Sequence, residues 1–162
     1  MPETDKNLAR QVLADPVHIL AFGFGTGLVP FAPGTVGSLL GVALAWITLN
    51  MGLIAQIGIA AGLFLVGIWI CGESARRLGI HDHGGIVWDE IVGMYIVLIV
   101  TPGAVWAWIL AFGLFRAFDI VKPWPIRDLD HRLGGGLGIM LDDLVAALYA
   151  ALLLGFLGRL MT

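Results

Sequence analysis

Charge is the scarcest property of this chain. Of its 162 residues, 13% are Asp, Glu, Lys or Arg and 59% are hydrophobic, against about 25% and 45–50% in an ordinary soluble domain. None of the four charged types occurs between Asp15 and Glu73, a stretch longer than two bilayer spans of about 20 residues each. Mean hydropathy is +0.93. These figures exclude disorder and almost any soluble enzyme. Basic residues are too few, nine against twelve acids for a net charge of −3, to form the stripe that a nucleic acid would need. A single cysteine, Cys71, excludes an intrachain disulfide. The opening MPETDKNLARQVLADP has neither the basic start nor the short apolar core of a cleaved signal peptide. It reads as a short amphipathic surface helix with Leu8, Val12 and Leu13 on one side. What remains is a single all-α domain over residues 1–162, a polytopic membrane bundle.

Apolar runs separated by turn residues predict about five spanning helices, near 37–50, 53–72, 86–100, 104–119 and 137–158. Residues 17–38, broken by glycines and by Pro30 and Pro33, predict a re-entrant or interfacial segment, since irregular backbone at membrane depth needs cover. Small residues such as Gly58, Gly62 and Gly93 suit close helix packing. With this count every Lys and Arg except Arg159 falls at one face, which the positive-inside rule makes cytoplasmic. All the carboxylates and all four histidines fall at or near that face too. A transporter or channel using the same acids is the alternative, but it would carry ionisable groups across to the far face. Polar chemistry gathered at one face suits an enzyme acting on a lipid headgroup.

Two acidic pairs stand within apolar helical patterns: Asp89 and Glu90 in IVWDEIVG, Asp142 and Asp143 in GIMLDDLV. Each acid costs about 2.5–3.5 kcal/mol near the centre of a span. Placement in the first turn of each helix lowers that cost and sets the acids against a favourable macrodipole. Simple capping is therefore the plain reading of either pair alone. Four like charges in one small bundle repel, and a divalent cation removes both the repulsion and the desolvation cost; oxygen ligands suit Mg²⁺. Neighbouring helix positions point about 100° apart, so one member of each pair faces the bundle better. His81 and Asp82 precede the third span and could shuttle a proton.

For phosphate, the turn at Gly34 and Thr35 opens a helix whose amides could bind an anion. Arg116, Lys122 and Arg127, with Asp119 among them, come to the same face. Other phosphate motifs fail. Cys71 with Arg77 has the spacing of a cysteine-phosphatase loop but lies in a helical run. Asp128-x-Asp130 has no strand before it, and GFGTG has no following Lys-Ser/Thr. With no credible Ser or Cys nucleophile, direct attack by water is favoured.

Four blocks together resemble bacterial phosphatidylglycerophosphatase A: APGTVGS at 32–38, HDHGGIVWDE at 81–90, FRAFDIVKPWPIRDLD at 115–130 and GGGLGIMLDD at 134–143. They cover about a third of the chain. The resemblance implies a Mg²⁺-dependent enzyme of the bacterial inner membrane that converts phosphatidylglycerophosphate to phosphatidylglycerol and inorganic phosphate. It places the functional acids at Asp89, Glu90, Asp142 and Asp143, and less firmly at Asp82 and Asp119. One departure is Ala146-Ala147, where the family leads one to expect a glycine soon after the paired aspartates.

Overall fold

Proline, glycine and one acid set the helix boundaries. Asp15 caps helix α2 (Pro16–Ala21): its carboxylate accepts the Val17 N–H at 2.9 Å, and Pro16 fills the first helical position. Helix α3 (Pro33–Thr48) likewise starts on a proline. Helix α4 (Leu53–Leu78) stops at Gly79, whose left-handed backbone lets its N–H turn back to the last carbonyls. Around these lie α1 (Glu3–Ala14), α5 (Trp88–Ile99), α6 (Val105–Val121) and α7 (Gly135–Leu160). The computed structural model describes residues 3–80, 83–124 and 134–160, and no strand occurs among them.

The five main helices fall where the apolar runs predict them, and α5 is the hub. It packs against α3, α4, α6 and α7 and buries Ile91, Val92, Met94, Tyr95, Val97 and Leu98. Helices α3 and α5 run parallel. Gly34 at the start of α3 adjoins Glu90 at the start of α5, and near their other ends Thr48 Oγ1 donates to Tyr95 Oη at 3.2 Å. The starts of α3 and α5 therefore share one end of the bundle with the C-terminal turns of α4 and α6. Outward faces carry large apolar side chains, among them Trp46, Ile54, Leu65, Trp69, Ile109 and Phe156, while His18, Ser74, Asp89 and Asp143 are buried. An exterior rich in large apolar side chains, with acids buried within the apolar core, departs from the usual soluble arrangement.

Helices α4 and α7 are long and apolar enough to cross a membrane. Helices α3, α5 and α6 have 16, 12 and 17 residues. At 1.5 Å per residue α5 is about 18 Å long, against about 30 Å for a hydrocarbon core.

Several local expectations change. Residues 17–38 do not form one irregular loop: α2, a 3₁₀ turn at Gly23–Leu28 and the start of α3 occupy them. The kink inside the 3₁₀ turn uses positive φ at Phe24 and Gly25. On α1, Val12 is buried and Leu8 packs beside it, but Leu13 is 60% exposed and is not part of that face. Helix α2 and its capping residue are pinned to α4 by polar contacts. His18 Nδ1 and Ser74 Oγ share a buried hydrogen bond of 2.8 Å, and Arg77 pairs with both Asp15 and Glu73. Gly58 and Gly62 face open space, whereas Gly93 sits tightly against Phe115. Ala146 and Ala147 are fully buried, so small side chains serve the packing at that departure from the family pattern.

The tightest helix crossing joins α4 to α7. A Cβ on Gly136 would lie 1.8 Å from the Ile68 carbonyl oxygen. Backbone cannot swing aside as a side chain does, so the two helices would have to separate. Gly136→Ala is expected to destabilise the fold by about 1–3 kcal/mol, as overpacking does. A thermal melt in detergent checks it, and an unchanged midpoint would refute the close crossing.

Candidate active site

Three acids converge at the end of the bundle where α3 and α5 begin. Asp89 and Glu90 occupy the first turn of α5, and Asp143 lies on α7. Each offers an oxygen, and these atoms all lie within 4.8 Å of one another. Asp89 Oδ1, Glu90 Oε2 and Asp143 Oδ2 are buried and accept no hydrogen bond. An unpaired buried carboxylate oxygen is costly, and three side by side cost more through mutual repulsion. That is the pattern expected of ligands arranged for a cation. The donors are all hard oxygens, which fits Mg²⁺ better than a thiophilic metal.

Capping does not account for these acids. The N-cap position of α5 is Val87, with no side-chain capping bond. Helix α7 begins at Gly135, earlier than its apolar run suggests, so Asp142 and Asp143 stand about two turns inside it. The 100° offset separates that second pair. Asp143 joins the cluster, while Asp142 Oδ2 turns to Lys122 Nζ at 2.6 Å and its Oδ1 accepts the Asp143 N–H at 3.0 Å. Both members of the first pair reach the cluster, because the longer Glu90 side chain makes up the angle. Lys122 itself has a left-handed backbone at the end of α6, φ +44°. For a residue with a Cβ this costs about 1–2 kcal/mol, and it brings the ammonium onto α7.

Arg116 links the acids to α3. Its Nη1 lies 2.6 Å from Asp119 Oδ2, 3.4 Å from Ser38 Oγ and 3.7 Å from Glu90 Oε1. Arg116 and Asp119 are each only 13% exposed, so this is an interior pair and not the surface pair their i,i+3 spacing suggests. Arg116 Nε is buried with no acceptor, an unsatisfied donor beside the acids. The start of α3 behaves differently from an open anion site. A Cβ on Gly34 would fall 2.1 Å from Glu90 Oε1 and 3.0 Å from Arg116 Nη2. The anion nearest this helix start is thus the protein's own Glu90. Thr35 is half-buried, and its N–H bonds the Ala32 carbonyl at 3.0 Å.

The candidates His81, Asp82 and Arg127 lie outside the described residues. Cys71 is buried in α4 with Sγ 3.9 Å from Met140 Sδ, a packing position. Sequence reasoning did not single out the side-chain link from Ser38 to Arg116. The residues are 78 apart in the chain, and the sequence marks Ser38 only as a hydroxyl donor beside Thr35 at the start of the helix, not as a partner of Arg116.

A helical bundle that buries three converging carboxylates beside an arginine with a spare N–H has the parts of a phosphate-ester hydrolase, and its apolar exterior suits a lipid ester. The chain belongs to the phosphatidylglycerophosphatase A family, whose profile matches residues 19–158, a family of phosphoric monoester hydrolases. It is 49% identical over 152 residues to the phosphatidylglycerophosphatase A of Haemophilus influenzae, covering 92% of this chain and 93% of that one. Identity to the phosphatidylglycerophosphatase A of Escherichia coli K12 is 42% over 157 residues, 93% and 88% of the two chains. A Bacteroides thetaiotaomicron protein provisionally described as a phosphatidylinositol-3-phosphatase is 39% identical over 145 residues, 84% and 89% of the two. No solved structure matches the chain.

Proposed function

We propose that this enzyme hydrolyses the terminal phosphate of phosphatidylglycerophosphate, giving phosphatidylglycerol and inorganic phosphate, and that it needs Mg²⁺ to do so. The observation that carries the metal requirement is the set of three buried, unpartnered carboxylate oxygens on Asp89, Glu90 and Asp143. The substrate follows from family membership and from the two relatives with that name.

Asp89, Glu90 and Asp143 would hold the cation. A bound Mg²⁺ supplies charge neutralisation for the acids and for the phosphate, and makes a coordinated water more acidic. Arg116 is held in place by Asp119 and Ser38, so its guanidinium would meet a phosphate oxygen with little further ordering. Lys122, set on Asp142, adds positive charge at the same end. Ser38 Oγ donates to the Gly34 carbonyl at 2.8 Å, so it is engaged and is no free nucleophile. Water adds to phosphorus, the P–O bond to glycerol breaks, and the glycerol oxygen leaves with a proton.

In this reading the five main helices sit in the bacterial inner membrane with the acidic end at the cytoplasmic face. Helix α5 is sheathed by its neighbours, so it does not itself need to match the bilayer thickness. The test uses purified protein in detergent with phosphatidylglycerophosphate, in Mg²⁺ or in chelator. Chelation is expected to lower phosphate release by about 100-fold or more. Equal rates in both conditions, or full activity after Asp142→Ala and Asp143→Ala together, would overturn the proposal.

A further inference from the structure

A groove runs down the outside of the bundle from the site. Helices α3 and α6 both pack on α5 without forming a packed pair of their own, and the gap between them encloses about 480 Å³. Leu39, Val42 and Trp46 line it from α3; Val105, Trp108 and Phe112 line it from α6. Continuity with the site says what fills it. Ser38, bonded to Arg116 across the gap, directly precedes Leu39, and Phe112 stands one turn from Arg116 on α6. The polar bridge therefore forms the upper rim of an otherwise apolar channel.

We infer that this groove is the acyl-chain site of the substrate: it takes one fatty-acyl chain of a diacyl phospholipid while the phosphate lies at Arg116. The inference rests on the lipid-phosphatase reading above and adds where the lipid enters, sideways between α3 and α6. A second apolar groove, between α6 and α7, is larger at about 570 Å³ but is lined by Trp106, Leu148 and Leu152 toward the far end of α7, away from the acids.

The test combines crosslinking with kinetics. A diacyl phospholipid carrying a photoreactive acyl chain is crosslinked to the wild-type enzyme and the labelled peptides are mapped. Label on α3 and α6 between Leu39 and Phe112 is expected; label confined to Leu148–Leu152 would overturn the inference. Val42→Trp fills the groove. It should lower the ratio of kcat/KM for a long-chain substrate to that for a short-chain one by about tenfold, the worth of roughly two buried methylenes. Leu152→Trp, in the other groove, should leave that ratio alone. An unchanged ratio in Val42→Trp with an unchanged crosslink pattern would sink the acyl site. Crosslinking in the groove by a wild-type protein that releases no phosphate would instead sink the phosphatase reading and leave the lipid site standing.

Discussion

Asp143→Asn is expected to lower phosphate release from phosphatidylglycerophosphate by about 10²–10³-fold, the range for removing one preorganised charged group from a reaction centre. The substitution keeps the shape of the side chain and removes one of three convergent charges. Its effect on stability should run the other way. Without metal, Asp89, Glu90 and Asp143 repel at close range, so neutralising one relieves the folded state, and the variant in chelator should melt no lower than wild type. Mg²⁺ should then stabilise the wild type, by about 2.7 kcal/mol at a hundred times its dissociation constant, and do much less for the variant. Asp142→Asn is the internal control. Asp142 pairs with Lys122 and not with the cluster, so that variant should keep its thermal response to Mg²⁺. More than half the wild-type activity in Asp143→Asn, or equal Mg²⁺ responses in both enzymes, would remove Asp143 from the metal site.

That contrast between Asp142 and Asp143 also marks how far the sequence can be read. Two adjacent acidic pairs within apolar patterns point to a site when taken together, because capping explains either pair alone but not four like charges in one small bundle. The 100° step between neighbours says that a helix pair divides its work. Which member turns inward depends on the rotation of α7 against α5, and that is set by packing at Gly93, Phe115 and Gly136, far apart in the chain. Helix α4 shows the same limit. It is apolar on nearly every side, so its glycines carry no sign of direction: Gly58 and Gly62 face outward, while Gly67 and Gly72 meet α7. The positions of the five main helices were legible because long apolar runs between turn residues leave few alternatives. The segment at residues 17–38 was not. Its glycines and prolines signal breaks in the backbone, but they do not reveal that short helices fit between the breaks, nor that His18 would reach Ser74 across 56 residues. Arg116 and Asp119 were legible as a pair by spacing. Their burial, which an i,i+3 spacing does not foretell, comes from α3 lying over them.

Gly34→Ala should separate catalysis from folding without changing an acid. The added methyl would fall 2.1 Å from Glu90 Oε1 and 3.0 Å from Arg116 Nη2. Both are the far ends of flexible side chains, so the fold has a way out: Glu90 can change rotamer at about 0.5–1.5 kcal/mol. Replacing a helical glycine by alanine returns up to about 1 kcal/mol in helix propensity, which offsets much of that. The melting temperature should therefore move little. Activity should not survive as well, because Glu90 would leave the cluster and Arg116 would lose its place beside Asp119 and Ser38. A fall of about 100-fold is expected, in line with the loss of one electrostatic group at a reaction centre, together with weaker stabilisation by Mg²⁺. The contrast with Gly136→Ala is direct: there the new methyl meets backbone, and stability falls with activity. Gly34→Ala with full activity would mean that Glu90 can be displaced without harm, and the acid to remove from the mechanism would then be Glu90.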